Sequence, residues 1–423
     1  MSEKEMIQGL FDFIGESPTA FHAAAQICDR LDQAGFVRLS EKKVWKLTAG
    51  SKYYVTRNDS AVISFVLPEK EAVCYKIVAS HLDSPCFKVK TEPEIKQGNA
   101  YVKLNTEKYG GMILSSWLDR PLSLAGRVFY EGKDGKICHS LINIDRDLLV
   151  IPNLAIHMNR EINQGYAYNP QTDMLPIFSG QKERTVYDLI AEELSISKDQ
   201  ILSEELYVYV RQKGCLIGED QEWMLAPRLD DLQCAYTSLQ GILQAKPKDY
   251  IACSAYFDNE EVGSGTKQGA DSTFLEQTMR RISRLLSFDE EQAECIRNSS
   301  FLISADNAHA LHPNHPEKAD LTNAPQLNGG VVIKYHGGQK YTTDGYSAAC
   351  LISLCREADI PFQSYCNRSD IAGGSTLGNI STAHVSIPSA DIGFAQLAMH
   401  SAVETAGAKD VMYGVRLFEQ FWK

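Results

Sequence analysis

The chain has 423 residues, of which 44% are hydrophobic and 23% charged, enough for two or three domains with at least one large core. Its formal net charge of −12 argues against nucleic acid or an anionic membrane as the main partner. No run approaches the roughly 20 apolar residues that span a bilayer, and the charged start MSEKEMIQGLFDF lacks the apolar core of a secretory signal. Eleven cysteines, without a C-x-x-C pair and partly set in apolar runs (Cys74, Cys253), fit free thiols in a reducing cytoplasm.

The first 40 residues read as helical. SPTAFHAAAQICDRLDQAGF offers Ser17 as an N-cap, Pro18 at the first helical position and Gly35 as a stop. Strand-like runs follow in SKYYVTR, AVISFVL and CYKIVASHLDSP, the last nearly continuous apolar, as a strand buried on both faces should be. From Lys88 to Gly218 short alternating segments (AYVKLN, AGRVFYEG, KICHSLINI) are separated by turn signals, EGKDGK among them as a hairpin tip. One helical stretch, RTVYDLIAEELSI, interrupts them. A helix over Ala235 to Gln244 then precedes a buried strand, DYIACSAYFD. FLISADNAHA, GGVVIKY, a helix from Tyr346 to Glu357, PFQSYCNRSD and a helix in AQLAMHSAVETAG complete the chain. Alternating strands and helices predict an α/β domain with a mostly parallel sheet, built from 1–87 and 219–423 and interrupted by a β-rich insertion, 88–218.

The polar residues that punctuate the buried strands carry the chemistry. VASHLDSPC brings His81 and Asp83, APRLDDLQCAY brings Asp230 and Asp231, and FDNEEVGSG brings Glu260 and Glu261. ISADNAHALH adds Asp306, and QLAMHSAVE adds His400 and Glu404, one turn apart on the expected helix. In an open α/β sheet the crevice lies at the carboxyl ends of the strands, so these side chains can converge. Each motif also has an ordinary reading: a capped loop histidine, a solvated acidic turn, an Asp N-cap, an amphipathic helix. Taken together at successive strand ends, they favour a site for two divalent ions. Imidazole and carboxylate suit zinc, and one carboxylate can bridge two ions. The adjacent glutamates then divide the work. One completes a metal shell, and the other stays unligated to take a proton from the attacking water.

These pieces resemble the M18 family of metallopeptidases, the aspartyl aminopeptidase-like enzymes. The similarity rests on ASHLDSPC, APRLDDL, DNEEVGSG, SADNAHALHPNHPEK, NGGVVIKY, GGSTLG and QLAMHSAVE, and runs from about residue 15 to 423. It implies a zinc-exopeptidase-type mixed sheet flanked by helices and an inserted β-rich dimerisation domain. It also implies a dodecamer built from dimers and removal of N-terminal residues from peptides; members of the family differ between acidic and neutral residues, and acidic ones (Asp/Glu) are the expectation here. Two zinc ions per subunit are implied, with Mn2+ or Co2+ as substitutes. His81, Asp230 and Asp306 look like the ligands of one ion, and Asp230, Glu261 and His400 those of the other. Glu260 resembles the general base, and Asp83 the carboxylate that orients the imidazole. In related di-zinc peptidases the bond corresponding to Asp230–Asp231 is often cis.

His309, His312 and His315, with Pro313 and Pro316 among them, read as a loop rather than a further metal site; His309 matches a family position near the substrate. GGST at 373–376 lacks the G-x-S-x-G pattern of a nucleophile turn, so Gly374 and Ser375 read as a backbone pocket for the substrate. Lys334 ends an apolar strand. Its bland reading is a solvated terminus, and the resemblance gives it an acidic substrate side chain to meet. His157 lies in the insertion and matches a histidine that reaches the active site of the neighbouring subunit. The competing readings are a related di-zinc N-deacylase or carboxypeptidase, and a non-catalytic assembly or cargo protein on a peptidase scaffold.

Overall fold

A computed structural model describes residues 2–180, 183–374 and 376–423. Contacts divide it into two compact units: Met1–Asp83, Gly214–Met399 and Glu404–Lys423 form one, Ser84–Lys213 and His400–Val403 the other.

The first unit is built on a mixed sheet. Four strands lie parallel at its centre, in the order Tyr250–Phe257, Cys74–His81, Phe301–Ala305, Ser389–Leu397. Its flanks are mixed: Val37–Leu39 runs parallel to Lys52–Arg57 and Phe362–Cys366 parallel to Val331–Tyr335, while the pairings that join them to the centre are antiparallel. Lys52–Arg57 pairs with Ala61–Val66, which pairs with Tyr250–Phe257, while Ser389–Leu397 pairs with Val331–Tyr335 and Glu404–Gly407. The expectation of a mostly parallel sheet therefore holds at the centre and fails where the flanks join it. Asn58 and Asp59, both at positive φ, turn the chain too tightly for a parallel crossover, which needs a dozen residues or more.

The central strands are buried on both faces, and alternate side chains enter two different cores. Tyr250, Ala252 and Tyr256 join the core covered by the helices Glu3–Gly15, Ala20–Gln33, Leu229–Gln244 and Ala408–Phe421. Ile251, Cys253, Ala255 and Phe257 join the one covered by Phe274–Leu285 and Glu290–Asn298. A Cβ at Gly241 would stand 2.6 Å from the Phe418 Cβ, so two of the helices approach through that glycine.

Two local expectations change. The second helix starts at Ala20 with Thr19 as N-cap, because Ser17 is buried and the Thr19 hydroxyl turns to the His22 ring at 2.8 Å. Its end is as expected: Gly35 takes φ 81°, and Gly35 N and Phe36 N donate to Asp32 O and Leu31 O. AQLAMHSAVETAG is not a helix. Ser389–Leu397 and Glu404–Gly407 are antiparallel strands, and the chain reverses between them through Ala398 and His400, both at positive φ.

The second unit holds a six-stranded antiparallel sheet and the capped helix Val186–Leu194. EGKDGK closes the hairpin of Leu122–Glu131 and Ile137–Asn143, with Gly135 at φ 72°. All eleven cysteines are free thiols, and no described helix is long and apolar enough to cross a membrane.

Candidate metal centre

The carboxyl ends of the parallel strands meet in register. Phe257 pairs with His81, so Glu260 and Glu261 follow in the turn just beyond it. Ser304 pairs with Ala79, which brings Asp306 level with His81. Asn259 and Gly263 bracket that turn in the left-handed region and let the chain reverse with both glutamates at its apex. Asp230 enters from the start of its helix, where Asp230 and Asp231 are non-helical and the bond between them is cis. Its backbone N–H donates to Glu404 Oε2 at 3.0 Å, and Asp231 Oδ2 accepts from the His81 N–H at 3.2 Å.

The ligand atoms of His81, Asp230 and Asp306 lie within 4.8 Å of one another, as do those of His81, Glu260 and Glu261. His81 Nδ1 lies 3.0 Å from the Asp83 carbonyl oxygen, which can only accept, so Nδ1 carries the hydrogen. Nε2 then faces Asp230 Oδ1 across 3.5 Å in a buried site. A proton on Nε2 or a metal ion between the two atoms would satisfy that contact. Burial raises the pKa of Glu261 and Asp231 well above the carboxylate range, raises Asp306, and lifts Glu260 to about 7, with the neighbouring carboxylates adding to each. Burial opposes the His81 imidazolium, yet the carboxylates of Asp230 and Asp83 outweigh it and raise the ring's pKa. Imidazole nitrogen and carboxylate oxygen are zinc donors, and the shared deficit of positive charge fits a divalent cation.

The remaining residues fall as follows. Asp83 meets His81 Nδ1 with its carbonyl at 3.0 Å and its carboxylate at 3.4 Å, and that carboxylate also accepts the backbone N–H groups of Glu260 and Glu261 at 3.1 Å each. Lys334 is not a solvated strand end. It is 2% exposed, and its ammonium lies on Asn307 O at 3.0 Å and Asp306 Oδ2 at 3.8 Å. His309 is exposed, its ring 6.1 Å from that of Tyr365, and lines a cavity of about 300 Å3 with Lys318, Arg368, His312 and His315. Gly374 is exposed, and Ser375 lies outside the described residues. Lys340 Nζ holds the start of that loop by the carbonyls of Ala372 and Gly373. His400 belongs to the second unit, where its Nδ1 donates to Gly111 O at 2.6 Å and leaves Nε2 as the lone-pair nitrogen. His157 lies exposed in a turn of the same unit.

Sequence reasoning missed Asn307. Its amide donates to Leu229 O and Gln396 Oε1 and accepts from Phe394 N, tying the Asp306 loop to the Asp230 segment. Its place beside Asp306 was the available signal.

An imidazole ringed by buried carboxylates at the carboxyl edge of a parallel sheet is the arrangement of a metal-dependent hydrolase. The pattern of the family described as aminopeptidase I zinc metalloprotease (M18) matches residues 13–422. A probable M18 family aminopeptidase 2 of Clostridium novyi is 45% identical over 98% of this chain and 97% of its own. Among solved structures, the cryo-EM structure of the Ape4 and Nbr1 complex aligns with a TM-score of 0.96 at 34% identity, covering 99% of this chain and 86% of that one. The S. cerevisiae mApe1 dodecamer aligns at 0.87 and 25% identity, covering 99% and 96%. The chain belongs to the M18 family of zinc-dependent aminopeptidases.

Proposed function

We propose that this chain removes single N-terminal residues from peptides, preferring Asp and Glu, at a centre of two zinc ions. His81, Asp230 and Asp306 would hold one, Asp230, Glu261 and His400 the other, with Mn2+ or Co2+ as substitutes. The observation that carries the reading is the buried cluster of His81, Asp230 and Asp306, whose ligand atoms lie within 4.8 Å of one another. Bound zinc supplies Lewis acidity toward the scissile carbonyl. Glu260 Oε takes the proton of the attacking water and returns it to the leaving amine. Asp83 keeps Glu260 and Glu261 in place through their backbone N–H groups. The acidic preference would be carried by Lys334, whose buried ammonium stands 3.8 Å from Asp306 Oδ2 beside the metal cluster. Gly374 and Ser375 would complete the substrate's backbone contacts.

The segment 88–218 would form the dimerisation domain, the dimers assembling into a dodecamer like the S. cerevisiae relative, in a cytoplasm that keeps the thiols reduced. A panel of aminoacyl-nitroanilides, run with and without chelator, tests the whole reading. Free-amino Asp and Glu substrates should be cleaved faster than Leu, with activity lost on chelation and restored by zinc. Cleavage of N-acyl substrates instead, or indifference to the chelator, would overturn it.

A further inference from the structure

The reversal His400–Val403 groups with the insertion rather than with the strands on either side of it. Hydrogen bonds from one short segment of the insertion hold it there. His400 Nδ1 donates to Gly111 O at 2.6 Å, Ile113 N donates to His400 O at 3.0 Å, and Ala402 N donates to Ser116 Oγ at 2.9 Å. The Ser116 hydroxyl passes its own hydrogen to Ile113 O at 2.6 Å, as a group that both accepts and donates can. That last bond alone would be an ordinary contact inside the helical turn Leu114–Trp117 and its cap. The bond from Ala402, 286 residues away, is not. His400 stands at φ 64°, a conformation that a residue with a Cβ avoids unless it is held there. The segment is itself anchored in the insertion. Trp117 is buried, its ring edge-on to Phe87 at 5.2 Å, and Arg120 donates to Ser116 O through Nε at 2.6 Å and to Gln212 Oε1 through Nη1 at 3.0 Å.

We propose that Ser116 is a positioning residue of the metal centre: with Gly111 and Ile113 it sets the direction of the His400 ring, so the insertion supports one metal ligand. The proposal rests on the reading of His400 as a ligand. A ligand histidine whose other nitrogen is engaged has a fixed tautomer and ring plane, and losing such support typically weakens metal binding about 10–100-fold. A loose reversal would have to be ordered each time an ion bound, which subtracts from affinity. The effect is confined to the ion that His400 would hold. The ion assigned to His81, Asp230 and Asp306 does not depend on this segment.

The test uses Ser116→Ala, which removes the hydroxyl, Ser116→Thr, which keeps it, and Ile113→Pro, which removes the N–H that His400 O accepts. Ile113 has φ −80°, within the range of proline. The affinity of each site for zinc is read by competition with a chromophoric chelator, zinc per subunit by elemental analysis, and stability by thermal unfolding of the metal-free protein. Ser116→Ala and Ile113→Pro should each weaken one zinc per subunit about tenfold or more and leave the other unchanged. Their metal-free forms should melt within about 2 °C of wild type. Ser116→Thr should bind both ions as wild type does. Wild-type zinc binding by Ser116→Ala or by Ile113→Pro would overturn the proposal. So would equal weakening of both ions with a lower melting temperature, which a merely structural hydroxyl would produce. Should Ile113→Pro not accumulate, the two Ser116 variants decide. His400→Ala separates this inference from the reading beneath it. If that variant keeps both ions, the ligand assignment fails. If it loses one while Ser116→Ala binds like wild type, only this inference fails.

Discussion

Two adjacent glutamates at a strand end are unfavourable unless something uses their charge. Burial has already lifted both pKa values, and removing water from a carboxylate is costly without a cation. The proposed division of labour makes their amides separable by measurement. Glu260→Gln should keep its metal and lose about 10²–10⁴-fold in turnover, the range of general-base loss. Glu261→Gln should lose metal by elemental analysis, with activity falling in proportion. Metal loss in the Glu260 variant would exchange or abolish the roles. The residue types of this cluster were legible because imidazole and carboxylates at the ends of buried strands have few structural uses. The task of Asp83 was only half legible. Its carboxylate binds backbone N–H groups, and no side-chain pattern records where a backbone points.

At the scale of elements, close approaches of backbone decide more than helix propensity does. A Cβ on Gly393 would lie 2.0 Å from the Asp306 carbonyl oxygen, so the strand Ser389–Leu397 meets the Asp306 loop through a residue without a side chain. Gly393→Ala should cost about 3 kcal/mol or more in thermal unfolding and should lower the zinc content, since it displaces Asp306. Intact stability would show that the loop can yield. The helix Ala20–Gln33 offers a pH test remote from the metal centre. Burial, with Arg228 beside it, lowers the His22 pKa from 6.5 to about 4. The folded state thus holds a neutral ring that the unfolded chain protonates more readily. Its contribution is fully present above pH 6.5 and is lost as pH falls toward 4. His22→Gln should flatten that stretch of the stability curve by about 1–2 kcal/mol relative to wild type, as read by chemical unfolding at pH 7 and pH 4.5. Parallel curves would assign the acid sensitivity to other groups. AQLAMHSAVETAG shows why a helix was expected where strands stand: its apolar residues keep a helical spacing, and the positive φ of Ala398 and His400 leaves no mark in composition.

For the whole molecule, the proposal makes assembly part of the chemistry. His157 is exposed in a turn with Leu154, Ile156 and Met158, which are 52%, 48% and 73% exposed, an apolar surface suited to a second copy of this chain. There the imidazole would donate to the oxyanion in the partner's site, a contact typically worth about 10²–10³ in turnover. Subunits carrying Glu260→Gln and subunits carrying His157→Ala, each nearly inactive, should regain activity when mixed after reversible dissociation. One interface of each hybrid dimer would pair an intact centre with an intact His157. Mixed oligomers that stay at the parental floor would exclude action in trans. By itself the sequence determined the alternation of buried strands and helices, the insertion's β texture and the donor types at the strand ends, because burial and metal chemistry act through residue identity. The tertiary structure alone decided that antiparallel pairings join the sheet's parallel centre to its flanks, that His400 sits in a reversal between strands, and that Lys334 stands beside Asp306. Those features depend on which distant segments pair and on the direction a side chain takes from its strand. A linear pattern of apolar and polar residues records how much is buried, not against what.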